Sequence, residues 1–205
     1  MSHSPSSSTS LRYWMRGIHL YMGLFISPFL VIFALSAILV NHGWRAPGAT
    51  VASRCQIAIA LPENLKGLDR AQEVLRQANV AGEIDFFHDT PEGFRIMASR
   101  PSRKIIIGVN VSAKTADIED RPATLAESLV YLHKYPGPHN ANIRGNWLFT
   151  RLWGVLADGT VYLLLFVLVA GLYLWLTLKS ERTAGLVFLA AGGLSFAMLL
   201  LLLIR

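Results

Sequence analysis

Between Arg16 and Arg45, the chain of 205 residues carries no formally charged side chain when histidine is counted as neutral. This stretch is longer than the roughly 20 apolar residues that cross the hydrocarbon of a bilayer. A basic flank before it and aromatic residues near both ends are typical of a membrane-spanning helix. We therefore predict a first transmembrane helix over residues 12–44. A continuous helix would separate His19 from His42 by about 34 Å, so one imidazole is expected near each membrane face.

The composition indicates a few membrane spans and one small water-soluble unit. Apolar residues make up 53% of the chain, which is high for a soluble domain and low for a protein lying wholly in the membrane. The formal net charge of +6 comes from scattered basic residues and from flanks of apolar segments that attract anionic lipid. We predict membrane lipid as a partner and no nucleic acid. The single cysteine, Cys55, excludes an internal disulfide and is expected as a small buried side chain in a strand.

Basic residues also predict the topology. Residues 1–11 are Ser-rich and are expected to form a disordered cytoplasmic tail. A second transmembrane helix is predicted over residues 148–178 and a third over residues 183–205, joined by a charged cytoplasmic turn at residues 179–182. Because basic residues precede the first span and occupy this turn, the N-terminus is expected inside and the C-terminus outside. The insert of residues 45–147 then lies in the periplasm, if the membrane is the inner membrane of a bacterium.

This insert is predicted to be a small α+β domain. A strand at residues 55–60 is followed by a helix with an apolar stripe at residues 65–78. Three extended stretches follow, separated by turn formers, at 83–88, 93–99 and 103–111, with an optional further strand at 115–119. Such a β-α-β-β-β unit is small, and we expect it to be stabilised by packing against the membrane helices or against a second copy. The predicted fold class is therefore a membrane α-helical protein with three transmembrane helices and a small periplasmic α+β domain between helices 1 and 2.

The segment that returns the chain to the membrane carries two further histidines. Residues 125–135 predict a helix that opens with Thr124 and Glu127 as a capping box. The spacing of its apolar residues places His133 on the apolar face. A loop rich in proline and glycine follows and carries His139.

Each of these histidines has an ordinary interpretation beside a functional one. His19 either hydrogen-bonds a neighbouring helix or serves as an axial haem ligand, because histidines within membrane segments are rare and usually functional. The small residues Gly23 and Ser27 lie at four-residue spacing from it and suit either a second helix or the edge of a porphyrin. His42 is either a solvated interfacial residue or a ligand, and His133 is either a satisfied core histidine or a ligand.

Convergence at one membrane face favours the ligand interpretation. His42 ends the outgoing span, whereas His133 and His139 lie shortly before the returning one. Two imidazoles on opposite sides of an iron porphyrin form a six-coordinate electron-transfer site. Zinc would suit the same nitrogens, but no H-E-x-x-H or C-x-x-C pattern is present. We expect His88, in a strand, to be structural and His3 to be solvated.

Asp158 is the one acid near the outer end of a span. It either steers cationic iron or bonds a haem ligand, or it is an interfacial residue paired with Arg151. No G-x-G-x-x-G follows a predicted strand, so electrons are expected from a quinol or from a partner reductase rather than from a bound nicotinamide or flavin. Without a C-x-x-C-H pattern, any haem would be held without covalent attachment.

Three strings of the sequence resemble the PepSY-associated transmembrane family. RGIHLYMGLFISPFLVIFALSAILVNH, at residues 16–42, is similar to the opening helix of that family. LVYLHKYPG, at residues 129–137, resembles its outer-face histidine segment, and LVAGLYLWLTLKSER, at residues 168–182, resembles its closing helix. The insert resembles a PepSY-type domain. The resemblance covers most of the chain between residues 12 and 182.

This resemblance implies an inner-membrane haem protein that reduces ferric iron or ferric chelates at the periplasmic side. It implies non-covalent haem b held by two histidines, with His19, His42 and His133 as candidate iron ligands and a weaker match at His139. The chain has fewer spans and histidines than the larger members of the family. A second haem would need His19 of another copy, so we expect a homodimer. The alternative is an anchored PepSY-type module without redox chemistry that binds or regulates a periplasmic partner.

Overall fold

The computed structural model describes residues 7–44, 53–62, 64–134 and 142–204. His3 and His139 lie outside the described residues. The chain divides into two compact units. Residues 1–28 with 159–205 form one, called the helical unit here, and residues 29–158 form the other, called the sheet unit.

The described residues contain three long apolar helices, and the small sheet domain lies between the first and the second of them in sequence. They are α1 (Ser7–Asn41), α4 (Leu148–Thr177) and α5 (Arg182–Ile204). Each is long and apolar enough to cross a membrane, so the three suggest a membrane protein. This confirms the predicted layout of three apolar helices and an inserted domain. A short 3₁₀ turn, Lys179–Glu181, connects α4 to α5 where the charged turn was predicted.

Helix α1 differs from the prediction at both ends. It begins at Ser7, so residues 7–11 are helical rather than part of a disordered tail. Once a helix is nucleated, each added residue gains a backbone hydrogen bond, so extension into the serine-rich segment is favourable. At the other end, Gly43 has a φ of +61°. The N–H of Gly43 donates to Val40 (3.2 Å) and that of Trp44 to Leu39 (3.1 Å), the pattern of a Schellman motif that ends the helix at Asn41.

Helix α1 also contains Pro28, which has no N–H for the carbonyl of Leu24 one turn earlier. The hydroxyl of Ser27 donates to that carbonyl at 2.9 Å. The hydroxyl therefore supplies the hydrogen bond that proline cannot supply, which matters most in a hydrocarbon environment.

The sheet has five antiparallel strands in the order β1-β5-β4-β3-β2. The strands are β1 (Ser53–Ala58), β2 (Glu83–Thr90), β3 (Gly93–Arg100), β4 (Arg103–Asn110) and β5 (Thr115–Pro122). The optional strand at residues 115–119 is thus confirmed as β5, between β1 and β4. Its position in the sheet depends on pairing with β1, about sixty residues earlier in the chain.

Helix α2 (Gly67–Gln77) supplies the helical side of the core. Its buried residues are Ala71, Val74 and Leu75, as the apolar stripe predicted. They pack with the buried residues of the strands into a single cluster, among them Ile84, Phe94, Ile96, Ile107 and Ile118. Burial of this cluster supplies the main stabilisation of the sheet unit.

The burial predicted for Cys55 is wrong, because this residue is exposed. It lies in β1, which is an edge strand, and only Ile57 of its six residues is partly buried. The strand also begins two residues earlier than predicted. An edge strand has a neighbour on one side only, so its short side chains remain accessible.

Helix α3 (Leu125–Lys134) follows β5 and opens with the predicted capping box. The N–H of Thr124 donates to Glu127 Oε2 at 2.8 Å, and the N–H of Glu127 donates to Thr124 Oγ1 at 3.3 Å. This reciprocal pair satisfies two of the donors that a helix start leaves free.

Candidate functional site

His133, in α3, packs against the end of α1 that belongs to the sheet unit. Its Nδ1 lies 3.0 Å from the hydroxyl of Ser36, and the Phe33 ring meets the imidazole edge-on with centroids 6.2 Å apart. The Trp153 ring of α4 also packs against Phe33, tilted by 36° with centroids 5.9 Å apart, and its indole N–H donates to the carbonyl of Leu132 at 3.0 Å. The contact with the Phe33 ring agrees with the predicted position of His133 on the apolar face of its helix, and the side chain is half-buried there.

His19, in the helical unit, contacts α4. Its Nδ1 lies 3.1 Å from the carbonyl oxygen of Val167. Gly171 lies against the same ring, and a Cβ added there would come within 3.2 Å of the Cε1 atom of His19. The glycine therefore permits the imidazole to approach the helix backbone closely.

The contact with Val167 determines which nitrogen of a neutral His19 ring carries the proton. A carbonyl oxygen only accepts hydrogen bonds, so Nδ1 must be the donor. Nε2 then carries the lone pair. The expected bond to a neighbouring helix is present, yet it does not compete with ligand binding. Metal-ligating histidines commonly donate their other N–H to a backbone carbonyl.

His42 is the residue that caps α1, directly before Gly43, and it is exposed. Its ring stacks on that of Trp44 with centroids 5.0 Å apart. Ser36, which contacts His133, lies roughly 9 Å from His42 along the helix axis at the usual rise per residue. His42 and His133 thus belong to the same end of α1, and ligation by either remains a prediction.

No group of three or more His, Cys, Asp or Glu side chains able to hold a metal ion occurs among the described residues. His88 lies on the exposed side of β2, where its ring stacks on Phe86 at 5.7 Å. Neither finding concerns His139, which is outside those residues.

The pairing of Asp158 with Arg151 is wrong. Arg151 donates instead from Nη2 to the carbonyl of Gly145 at 2.9 Å, and Asp158 is exposed on α4. The two residues are seven positions apart, whereas side chains on a helix meet at a spacing of three or four.

Glu83 is a buried acid of the sheet unit that accepts several hydrogen bonds, and the sequence did not single it out. Its side chain is 1% exposed, at the start of β2. The N–H groups of Gly145 and Asn146 donate to Oε1 at 2.6 and 3.2 Å, and that of Trp147 donates to Oε2 at 2.8 Å. The hydroxyl of Thr150 donates to Oε2 at 2.6 Å. The carboxylate thus accepts three N–H groups of the turn that precedes α4 and one hydroxyl of its first turn, and it lies near the helix N-terminus, where the dipole favours negative charge.

Asn146 strengthens the same junction. Its side-chain amide accepts from the N–H of Ile84 and donates to the carbonyl of Ile84, both at 2.9 Å. It therefore mimics one residue of a paired strand at the edge of β2. From the sequence, this junction could have been anticipated only by the general rule that the start of a helix needs hydrogen-bond acceptors.

Asp85 lies beside this junction. Burial raises the pKa of its carboxyl above the ordinary value, and the charge of Glu83 acts in the same direction. The hydroxyl of Ser99, at 2.5 Å from Oδ2, and the charge of Lys104 act against this increase in the pKa.

Comparison of the chain with protein-family models, with curated proteins and with solved structures finds no match.

Proposed function

We propose that the protein is a membrane-spanning b-type haem protein, similar to the PepSY-associated transmembrane family, that delivers electrons to ferric iron or ferric chelates in the periplasm. The observation that best supports this is the hydrogen bond of His19 to the carbonyl of Val167. An imidazole inside an apolar helix has its Nδ1 proton bound to a carbonyl and its Nε2 lone pair available.

The surroundings of His19 suit a flat iron-bearing group. Apart from its chain neighbours and the backbone of its own helix, a Cβ added at Gly23, one turn from His19, would meet none of the described residues within 4 Å, and Ser27 is exposed. The small-residue track beside His19 is therefore not covered by another helix of the described chain. Bound haem b would supply reversible one-electron exchange. The protein would supply ligation, burial and orientation.

The second group of candidate ligands belongs to the other end of α1. His133 is oriented by Ser36 and Phe33, and His42 lies at the helix end. His139 completes the set of candidates. We place this end at the periplasmic face because the basic residues Arg12 and Arg16 precede the first span. Each electron that reaches this face would reduce one Fe(III) to Fe(II), with quinol or a partner reductase as the electron donor.

We also propose a homodimer. His19 is the single candidate ligand at the inner end of the described helices, so a bis-histidine site there would need His19 from a two-fold partner. The mass of the haem-loaded protein in mild detergent tests this point. A monomer with a full haem complement would refute the dimer.

The test of function is the absorption spectrum of the purified protein, oxidised and then reduced with dithionite. We expect a sharpened Soret band and distinct α and β bands on reduction. We expect His19→Ala, His42→Ala and His133→Ala each to weaken these bands. His88→Ala, on the exposed side of β2, is the matched control and should leave them unchanged. A colourless protein, even after haem is supplied during expression, would exclude the haem proposal.

One observation favours the alternative of an anchored binding module. A concavity of about 680 Å³ lies over β1, β3, β4 and β5, and Arg54, Arg95 and Glu119 help to line it. Charges of both signs around a depression suit a polypeptide partner. In that case, the histidine variants would leave partner binding unchanged, and Arg95→Ala would weaken it.

A further inference from the structure

We propose that Ser36 is a positioning residue that fixes the tautomer of His133 and thereby makes Nε2 the metal-binding nitrogen. The ligand role of His133 rests on the proposed function. The tautomer does not, because it follows from the contacts of the protein alone.

The hydroxyl of Ser36 has two neighbours and one hydrogen. Its Oγ lies 2.9 Å from the carbonyl oxygen of Phe33 and 3.0 Å from Nδ1 of His133. The Phe33 carbonyl oxygen only accepts, so the hydrogen between it and Ser36 Oγ is the hydroxyl hydrogen of Ser36. The hydroxyl then offers a lone pair to His133, and Nδ1 of a neutral ring must be the donor.

The opposite arrangement has a clear cost. If Ser36 donated to Nδ1, its oxygen and the Phe33 carbonyl oxygen would face each other at 2.9 Å without a hydrogen between them. Ser36 is 0% exposed, which leaves no access for bulk water to relieve this contact. Lone pairs of two oxygens that face each other at this distance repel, and a dry site offers no water molecule to separate them.

Neighbouring groups restrict the ring as well as its proton. Phe33 meets His133 edge-on at an interplanar angle of 63°, and Trp153 packs against Phe33. The bond from the Trp153 indole to the carbonyl of Leu132 holds the backbone next to His133. The imidazole is thus placed by packing, and its proton is placed by one hydroxyl.

The hydrogen bond from Nδ1 to Ser36 should increase the affinity of His133 for a metal. A partner that accepts the second N–H of a ligating histidine fixes the ring orientation and raises the basicity of the ring, and its loss typically costs 10- to 100-fold in metal affinity. We therefore expect Ser36→Ala to weaken hemin binding at the His133 site about 10- to 100-fold.

The first measurement is the ¹⁵N NMR spectrum of histidine side chains in the full-length apoprotein in detergent, at a pH where the ring is neutral. His133→Ala assigns the signal. We expect wild-type His133 to be protonated on Nδ1, Ser36→Ala to shift the ring towards the Nε2–H form, and Ser36→Thr to restore the Nδ1–H form. Ser195→Ala, which removes a hydroxyl that bonds a helix carbonyl in α5, is the matched control and should change nothing.

The second measurement is a hemin titration of the same variants. A wild-type protein that binds no hemin would refute the proposed function, whereas the NMR result would still decide the role of Ser36. A wild-type His133 ring protonated on Nε2 would overturn the proposal, and this result does not require any variant to fold. Equal tautomers in wild type and Ser36→Ala would overturn it too. Equal hemin affinity of these two proteins, with a changed tautomer, would instead overturn the ligand role of His133.

Discussion

The carboxylate of Glu83 accepts the backbone N–H of Trp147 at 2.8 Å, which joins the first residue of β2 to the residue directly before α4. The two residues are separated by most of the inserted domain. A single buried side chain therefore ties the sheet to the helix that returns the chain to its apolar part.

Glu83→Gln should destabilise the sheet unit. The amide keeps one oxygen but turns an NH₂ group towards donors, so several hydrogen bonds to a charged acceptor are lost. We expect a decrease of roughly 2–3 kcal/mol in the free energy of unfolding. Thermal unfolding of the full chain in mild detergent measures it, with exposed Glu92→Gln as the control. Equal melting temperatures for wild type and Glu83→Gln would contradict this role.

Gly171→Ala should disturb His19, because the added Cβ lies 3.2 Å from Cε1. Gly159→Ala in the same helix is the matched control, because its Cβ would meet nothing within 4 Å. Alanine in place of helical glycine stabilises by about 1 kcal/mol, whereas overpacking costs about 1–3 kcal/mol. We expect Gly159→Ala to raise the melting temperature and Gly171→Ala to lower it or leave it unchanged, with a shift of the His19 Cε1 proton resonance in Gly171→Ala alone.

Ser27→Ala should cost about 1–3 kcal/mol because the Leu24 carbonyl loses its hydroxyl donor. Pro28→Ala restores an N–H that can reach that carbonyl. In a Pro28→Ala background, the same Ser27→Ala change should therefore cost much less. A double-mutant cycle of unfolding in detergent measures this coupling, and strictly additive effects would show that the two residues act independently.

Asp85→Asn should change how stability depends on pH. The folded protein binds the Asp85 proton more tightly than the unfolded chain, because burial raises the pKa. The contribution of Asp85 to the free energy of unfolding is therefore constant below the ordinary carboxyl pKa of about 3.9. It is lost as pH rises from there through the raised pKa of the folded protein. Asp85→Asn should abolish this fall, whereas exposed Asp89→Asn should retain it. Unfolding midpoints between about pH 4 and pH 8 decide the matter, and parallel curves for wild type and Asp85→Asn would contradict it.

Local patterns predicted much of the architecture. The three apolar helices follow from length and hydrophobicity, and the stripe of Ala71, Val74 and Leu75 follows from helical periodicity. The capping box of Thr124 and Glu127 spans three residues. In each case, the interacting groups are close in sequence, so the chain itself contains the necessary information.

The candidate site was predicted only as a set of histidines. The sequence placed His133 on an apolar helix face, but the partners Ser36 and Phe33 lie almost one hundred residues away. Similarly, it placed His19 in a span without naming Val167 or Gly171. The exposed edge position of Cys55 had the same origin, since it depends on which strands pair. The failure of Arg151 to pair with Asp158 is different, because it follows from their seven-residue spacing on one helix.

The sequence by itself thus determined the number and order of the apolar helices, the helical core stripe and the identity of the histidines. Only the tertiary structure decided that Glu83 holds the start of α4, that the Val167 carbonyl orients His19 and that Ser36 orients His133. The reason is physical. Periodicity and capping are set within a few residues, whereas a buried hydrogen bond depends on which distant donor and acceptor packing brings to about 3 Å.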